Sequence, residues 1–366
     1  MKVGIDYRPV TAAPHSGISR QVLALEDGLA ALGHTVVRLS MAPAGHVHRQ
    51  HCLCPAVEAP ATGLHRPDRR LAFEAGFLPG VLPGLGLDLY IATANSGLPL
   101  GRRVPGLREV VLVHDLFQLT LPAAHAGVLR RWIYRQMDAR LIAHAVRRAD
   151  RIWIPSAYSA GAVASRYPAR RQQLRVLPNA VAALPAPSAL PAGLVPGYWL
   201  LVGSREPRKN LPLLLQRWHA LRAQGHALPA LVVVGSPADV PAALAHADGL
   251  HWLSGLDDAG LAALYHGASR LLHPAWAEGF GLPVVEAMAC GLPVLAARGS
   301  ALDEVLPATA LRFDAHDAHS LDAALLQALS GRQPGEDAPA LQAAAARFAP
   351  TAHRRRLGEL LDEVMA

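Results

Sequence analysis

Short apolar runs alternate with longer helical stretches along the whole chain, and a single proline-rich segment interrupts them. KVGID (2–6), TVVRL (35–39), DLYIAT (88–93), VVLVHD (110–115) and RIWIP (151–155) are rich in β-branched residues and too short for helices. Near-continuous apolar strands of this kind are buried on both faces, which is the mark of a parallel sheet covered by helices. Between them the spacing predicts a helix from about Ser19 to Leu32 and a long one from about Val128 to Arg148, and LRVLPNAV (174–181) reads as a further strand. AALPAPSALPAGLVPG (182–197) then holds four prolines and no charge, the composition of an interdomain linker. Beyond it the alternation restarts with YWLLVGS, a helix over 210–224, ALVVVGS, LHWLSG, a helix over 258–267, RLLHP, a helix over 283–290 and PVLAA, with helices filling the rest from about Ser320. The expected class is therefore α/β, with two doubly wound domains over 1–181 and 198–348 and a C-terminal helix over 349–366 able to pack back on the first. Ligands of such folds sit at the carboxyl ends of the strands and in the cleft between domains.

Composition narrows the setting. The 366 residues are 51% hydrophobic, yet no uninterrupted apolar run reaches the ~18 residues that a spanning helix needs. MKVGIDYRPV reads as a strand rather than a signal peptide, and three cysteines make no disulfide framework, so a cytoplasmic protein is expected. HVHRQHCLC clusters His46, His48, His51, Cys52 and Cys54, but without paired metal-ligand spacing; a surface loop is the reading, and no metal is expected. Residues 1–184 carry 22 Lys+Arg against 11 Asp+Glu, whereas 185–366 carry 13 against 17, so the first half meets something anionic. An anionic membrane face suits this better than nucleic acid, because no nucleic-acid reading motif accompanies the charge. Within the strongly basic 128–151 stretch, Trp132, Ile133 and Tyr134 add apolar side chains suited to a membrane interface, although the same helix could simply pack on its own sheet. Only two of the 35 basic residues are lysine, Lys2 and Lys209, so a lysine deep in the chain asks for a chemical reason.

The densest stretch is AEGFGLPVVEAMACGLPV (277–294). It follows a short strand ending at His273 and Pro274; Pro283 suits the start of a helix and Gly291 its end. Phe280, Gly281 and Leu282 thus fall at a strand-to-helix junction, where free N–H groups and the helix dipole favour a phosphate, with Glu286 close by to accept from ribose hydroxyls and Glu278 at the mouth. LLVGSREPRKNL (200–211) repeats the pattern with Arg205, Arg208 and Lys209 at a helix start, where cations oppose the dipole; a bound diphosphate explains them, and a solvated basic turn is the plainer alternative. His114 and Asp115 end the strand VVLVHD, a pair open to a structural or a catalytic role, and Gly17 lies between the first strand and its helix. There is no G-x-G-x-x-G after that strand, no phosphate-loop signature and no Asp-x-Asp, so neither a dinucleotide nor a metal-clamped sugar transfer is indicated.

Taken together, SGISR, VHDLFQLTLP, ADRIWIPSAYS, LRVLPNAV, VGSREPRKNL, LAALYHGASRLLHPAWAEGFGLPVVEAMACGLPV and SALDEV resemble the retaining glycosyltransferase family 4, whose GT-B fold pairs two Rossmann-like domains. The resemblance implies sugar transfer from a nucleoside diphosphate donor with no metal and no further cofactor. It implies that Glu278 lies by the donor sugar, that Glu286 holds the ribose, and that Arg208 and Lys209 neutralise the leaving diphosphate with amides near Phe280 to Leu282. It also puts Ser204 among the donor-binding residues, Gly17 close to the phosphates and His114 near donor sugar and acceptor. PNAV stands where PNGV is commoner, and Arg205 is displaced from the position that some members use. The EPRKN form is similar to bacterial mannosyl- and rhamnosyl-type members, which implies a GDP-sugar rather than a UDP-sugar and a saccharide or lipid-linked oligosaccharide acceptor. Two other classes stay open: a GT-B enzyme of different chemistry (a sugar-nucleotide epimerase or a phosphorylase), and a nucleotide-sugar-binding module without turnover.

Overall fold

The apolar runs become parallel strands in the computed structural model, which describes residues 1–14, 16–41, 52–53, 67–121 and 128–366. Strands β1 (Lys2–Asp6), β2 (Thr35–Leu39), β3 (Cys52–Leu53), β4 (Leu89–Ala92), β5 (Arg108–Leu112), β6 (Arg151–Ile154) and β7 (Leu174–Val176) form one sheet in the order β3-β2-β1-β4-β5-β6-β7. Alternate residues feed two cores. Val3, Ile5, Leu89 and Ile91 pack under the helices Gly17–Ala31 and Pro350–Met365, whereas Tyr90, Ala92 and Val111 meet Ile142 and Val146 of the helix Val128–Arg148 on the other face. Gly4 sits where Leu87, Leu39 and Tyr90 crowd the strand; a Cβ there would come within 2.5 Å of Leu87.

The second sheet runs β10-β9-β8-β11-β12-β13, built from β8 (Trp199–Val202), β9 (Leu231–Val234), β10 (Leu250–Leu253), β11 (Arg270–His273), β12 (Val294–Ala297) and β13 (Leu311–Phe313). Both sheets therefore reverse their strand order once, between β1 and β4 and between β8 and β11, and at such a switch point the loops leaving the two carboxyl ends diverge and open a crevice. The chain divides into residues 1–180 with 350–366, and residues 181–349. The proline-rich segment belongs to the second of these units. There Ser188 donates to Ala259 O at 3.1 Å and Gly197 to Gly267 O at 2.8 Å, so the segment lies along the helix Asp258–Gly267.

β3 and β13 were not foreseen. β3 has two residues, and LRF of β13 carries an arginine, so neither presents an apolar run long enough to read. Among the described residues no helix is long and apolar enough to cross a membrane, and no group of three or more His, Cys, Asp and Glu could hold a metal ion. His46, His48, His51 and Cys54 lie outside the described residues, and of Cys52 only the backbone is described.

Candidate active site

The loops after β8 and β11 carry most of the chemistry. After β8 the chain turns at Gly203 (φ 91°), makes the 3-10 turn Pro207–Lys209, passes Asn210 in a left-handed conformation and enters the helix Leu211–Ala223. After β11 it runs from Pro274 to Gly281 and enters the helix Leu282–Ala289. Gly281 has φ 97°, and a Cβ there would lie 2.5 Å from Leu302, so only glycine fits the entry to this helix. The two loops are stitched together by Trp276 N–H to Arg208 O (3.0 Å) and by Arg208 Nη1 to Ala277 O (2.9 Å).

That stitching brings three donors onto one carboxylate. Lys209 Nζ lies 2.7 Å from Glu278 Oε2, Arg208 Nη1 2.9 Å from Oε1, and His273 Nε2 3.2 Å from Oε2. Arg208 also holds Glu206 at 2.7 Å. Burial alone would push the Glu278 carboxyl up, but Lys209, the His273 hydrogen bond and Arg208 outweigh it and hold it well below the usual carboxylate range. Burial and the Lys209 charge lower the His273 pKa, so the ring stays neutral and donates from Nε2.

Glu286 sits on the second turn of its helix, buried, and Oε2 accepts from the Tyr265 hydroxyl at 2.9 Å. Burial and the charge of Glu286 push the nearby Cys290 thiol up to about 11, which leaves it protonated and unreactive at neutral pH. Phe280 packs edge-on against Phe348. At the start of the 282–289 helix Pro283 has no N–H and Val284 donates to Gly281 O at 3.0 Å, so Leu282 stands at the positive end of the helix dipole. A cavity of about 330 Å³ opens at the carboxyl ends of β8, β9 and β10, lined by Gly203, Ser204, Lys209, Gly235, Asp239 and Ser254. Ser204 Oγ donates to Asp239 and accepts from Ser236 N–H, so this serine is already ordered at the cavity wall. Arg205 lines the same cavity from an exposed position.

Ser204, Arg208, Lys209, Glu278, Phe280, Gly281, Leu282 and Glu286 thus gather around the switch point of the second sheet. Gly17 and His114 belong to the first unit. Gly17 opens its helix behind the Ser16 cap, which accepts from Ser19 N–H. The His114–Asp115 pair is split in role: Asp115 accepts from Phe117 N–H at 3.0 Å and starts a short helix, while His114 Nε2 lies 2.8 Å from Thr93 O. Sequence reasoning missed His273, Tyr265 and Asn95 as site residues. Each meets its partner across a turn or between different elements, where no local spacing announces the contact.

At the ends of β1 and β4 lies a buried polar cluster. Arg8 grips Asp6 through Nε and Nη2 (2.9 and 2.6 Å) and lies over the Phe73 ring; Glu74 Oε1 accepts from Ser96 Oγ at 2.9 Å. Burial outweighs Arg8, Arg70 and Ser96 and pushes Glu74 up to about 7 from an ordinary 4.5. The folded state thus keeps a proton that the unfolded chain releases. The resulting stability is fully present below pH 4.5 and is lost as pH rises through about 7. Glu74→Gln, which cannot ionise, should melt with a flatter pH dependence than the parent and gain on it from pH 5 to pH 8. Equal slopes in a melting series would show that burial of Glu74 carries no such penalty.

Two doubly wound sheets, with cations and a carboxylate meeting at the switch point of one, define an α/β fold that opens a ligand crevice at the carboxyl ends of its strands. Residues 15–183 match the family described as Glycosyltransferase Family 4, and residues 197–331 the one described as Glycosyl transferases group 1. The chain belongs to the GT-B glycosyltransferases of the family 4 type. It is 35% identical over 140 residues to the O-antigen chain mannosyltransferase B of Escherichia coli, a match that spans 36% of this chain and only 37% of that protein. The fold is shared with sucrose-phosphate synthase from Thermosynechococcus elongatus (TM-score 0.76, 20% identity, 100% and 99% of the two chains). It is shared also with Anabaena HepE, solved with UDP-glucose (TM-score 0.71, 18% identity, 99% and 100%).

Proposed function

We propose that this chain transfers a mannose- or rhamnose-like hexose from a GDP-sugar to a saccharide or lipid-linked oligosaccharide, with retention of anomeric configuration, in bacterial surface polysaccharide synthesis. The observation that carries the proposal is the convergence of Arg208 and Lys209 on Glu278 at the switch point of the second sheet. In this reading the bond from the anomeric carbon to the β-phosphate oxygen breaks while the acceptor oxygen bonds to the same face. The acceptor proton passes to the departing phosphate, and Lys209 and Arg208 stabilise the charge that develops there. Glu278 faces the donor sugar, Glu286 takes the ribose hydroxyls, and the helix start at Phe280 to Leu282 receives phosphate oxygens, with Ser204 at the wall. The family resemblance further assigns Gly17 to the phosphates and His114 to donor sugar and acceptor.

The mannosyltransferase relative supports the sugar class. Thermal shift against GDP, UDP, GDP-mannose and UDP-glucose tests the donor. GDP and GDP-mannose should give the larger shifts. A larger shift with the uridine pair would overturn the choice of base, and no shift with any of the four would overturn the donor reading itself. The protein is further proposed to be cytoplasmic and to meet its acceptor on the anionic inner face of the membrane. This is supported by the basic first half and by Trp132 and Ile133, which are 59% and 41% exposed on the helix Val128–Arg148. Sedimentation with anionic but not neutral vesicles is expected, and binding that ignores lipid charge would count against it.

A further inference from the structure

The β4–β5 ladder stops at Ala92 and Val111, yet the chain beyond it stays tightly held. Asn95 is the reason. Its N–H donates to Leu112 O at 3.0 Å, and its Oδ1 accepts from the main-chain N–H of His114 at 2.7 Å, so this one residue extends the ladder past the end of both strands. To do so it adopts φ 62°, a left-handed conformation that asparagine tolerates better than other non-glycine residues. It is 7% exposed, so its loss would leave a buried N–H without a partner.

The same loop fixes the ring of His114. Thr93 O lies 2.8 Å from Nε2, and a carbonyl can only accept, so the hydrogen sits on Nε2 and the lone pair on Nδ1. The loop is itself pinned on its far side. Thr93 Oγ1 donates to Asp6 O at 2.6 Å, Tyr90 Oη donates to Gly97 O at 3.0 Å, and Ser96 Oγ donates to Glu74. Gly97, at φ 116°, has Arg8 and Asp6 within 2.7 Å of where a Cβ would stand, so the loop lies flush against that buried cluster. Burial lowers the His114 pKa more than the Thr93 hydrogen bond and Asp115 raise it, in keeping with a neutral ring.

We infer that Asn95 is the positioning residue of His114: through its side-chain oxygen it holds the histidine main chain at the spot where the ring meets Thr93 O and presents Nδ1 as an acceptor. This rests on the reading of His114 as a group that serves the donor sugar. Displacements of about 1 Å at such a group cost on the order of 10² in rate.

Three substitutions in the full chain separate the possibilities, with release of GDP from GDP-mannose as the assay. Asn95→Gly keeps the left-handed backbone and removes only the acceptor; kcat should fall about 10²-fold with KM for GDP-mannose nearly unchanged. Asn95→Asp keeps the acceptor and should recover most of the rate. A merely structural role would lower the melting temperature of Asn95→Gly and leave its kcat near that of the parent. His114→Ala should fall at least as far as Asn95→Gly. If His114→Ala collapses while Asn95→Gly turns over normally, the inference is overturned and the reading of His114 stands. If His114→Ala itself turns over normally, that reading is overturned and the inference with it. Imidazole ¹⁵N spectra of the unaltered protein need neither donor nor variant. They should show a neutral His114 protonated on Nε2, and a ring protonated on Nδ1 would overturn the inference whatever the variants do.

Discussion

Lys209→Ala should lower turnover by about 10²–10³ while the protein still melts cooperatively, because one preorganised donor aimed at developing charge is commonly worth that much. The structure explains why the fold should survive. Glu278 keeps Arg208 at 2.9 Å and His273 at 3.2 Å when Lys209 is removed, so no buried carboxylate is stranded. What disappears is a compact cation on a flexible stem, able to leave the carboxylate for a phosphate oxygen. Lys209→Arg should also be poor. A planar fork fixed to Glu278 would duplicate Arg208 rather than replace a point charge. Release of nucleoside diphosphate from GDP-mannose is the measurement, and rates near the parent in Lys209→Ala would remove the phosphate role from this residue.

The second large effect is a separation between the two acids of the 277–294 stretch. Glu286→Ala should weaken binding of free GDP by about 10- to 100-fold, the size expected when hydrogen bonds to a charged acceptor are lost. Glu278→Gln should leave GDP affinity intact or improve it, because the carboxylate competes with the diphosphate for Arg208 and Lys209, and should lower turnover instead. Tyr265 gives a reason for Glu286 to be ready before any ligand arrives, since its hydroxyl holds Oε2 in place. Calorimetry with GDP decides the matter. Loss of affinity in Glu278→Gln with retention in Glu286→Ala would reverse the two assignments.

Much of this was readable in the chain, and for definable reasons. Strands β1, β4 to β6, β8, β9, β11 and β12 fell on largely apolar runs, because a strand buried on both faces carries few polar side chains, and the less buried β2, β7 and β10 were legible from their aliphatic residues. The helix starts at Gly17 and Leu282 lie within two residues of the expected ones, since Ser16 and Pro283 mark them chemically. Arg208, Lys209, Glu278 and Glu286, on or beside the glycine- and proline-marked turns, could be singled out from the residues, while the roles expected of them came from the family resemblance. His273, Tyr265 and Asn95 could not, because their partners lie 5, 21 and 19 residues away across different elements. The short edge strand β13 was hidden for a different reason. Arg312 interrupts its apolar pattern, and that arginine finds its partners in the Ala296 and Ala297 carbonyls of the neighbouring strand and in Leu302 O and Asp303 beyond it.

The scarcity of lysine has a practical side. Amine-reactive reagents can find only two side chains in these 366 residues. Lys2 is tied to Leu85 O at the opposite, amino-terminal edge of its sheet, and Lys209 is clasped by Glu278. A reagent that modifies primary amines would therefore write the occupancy of the candidate site into a single peptide. The label on Lys209 would rise or fall as ligands shield or free it, and Lys2 in the same digest would serve as the internal standard.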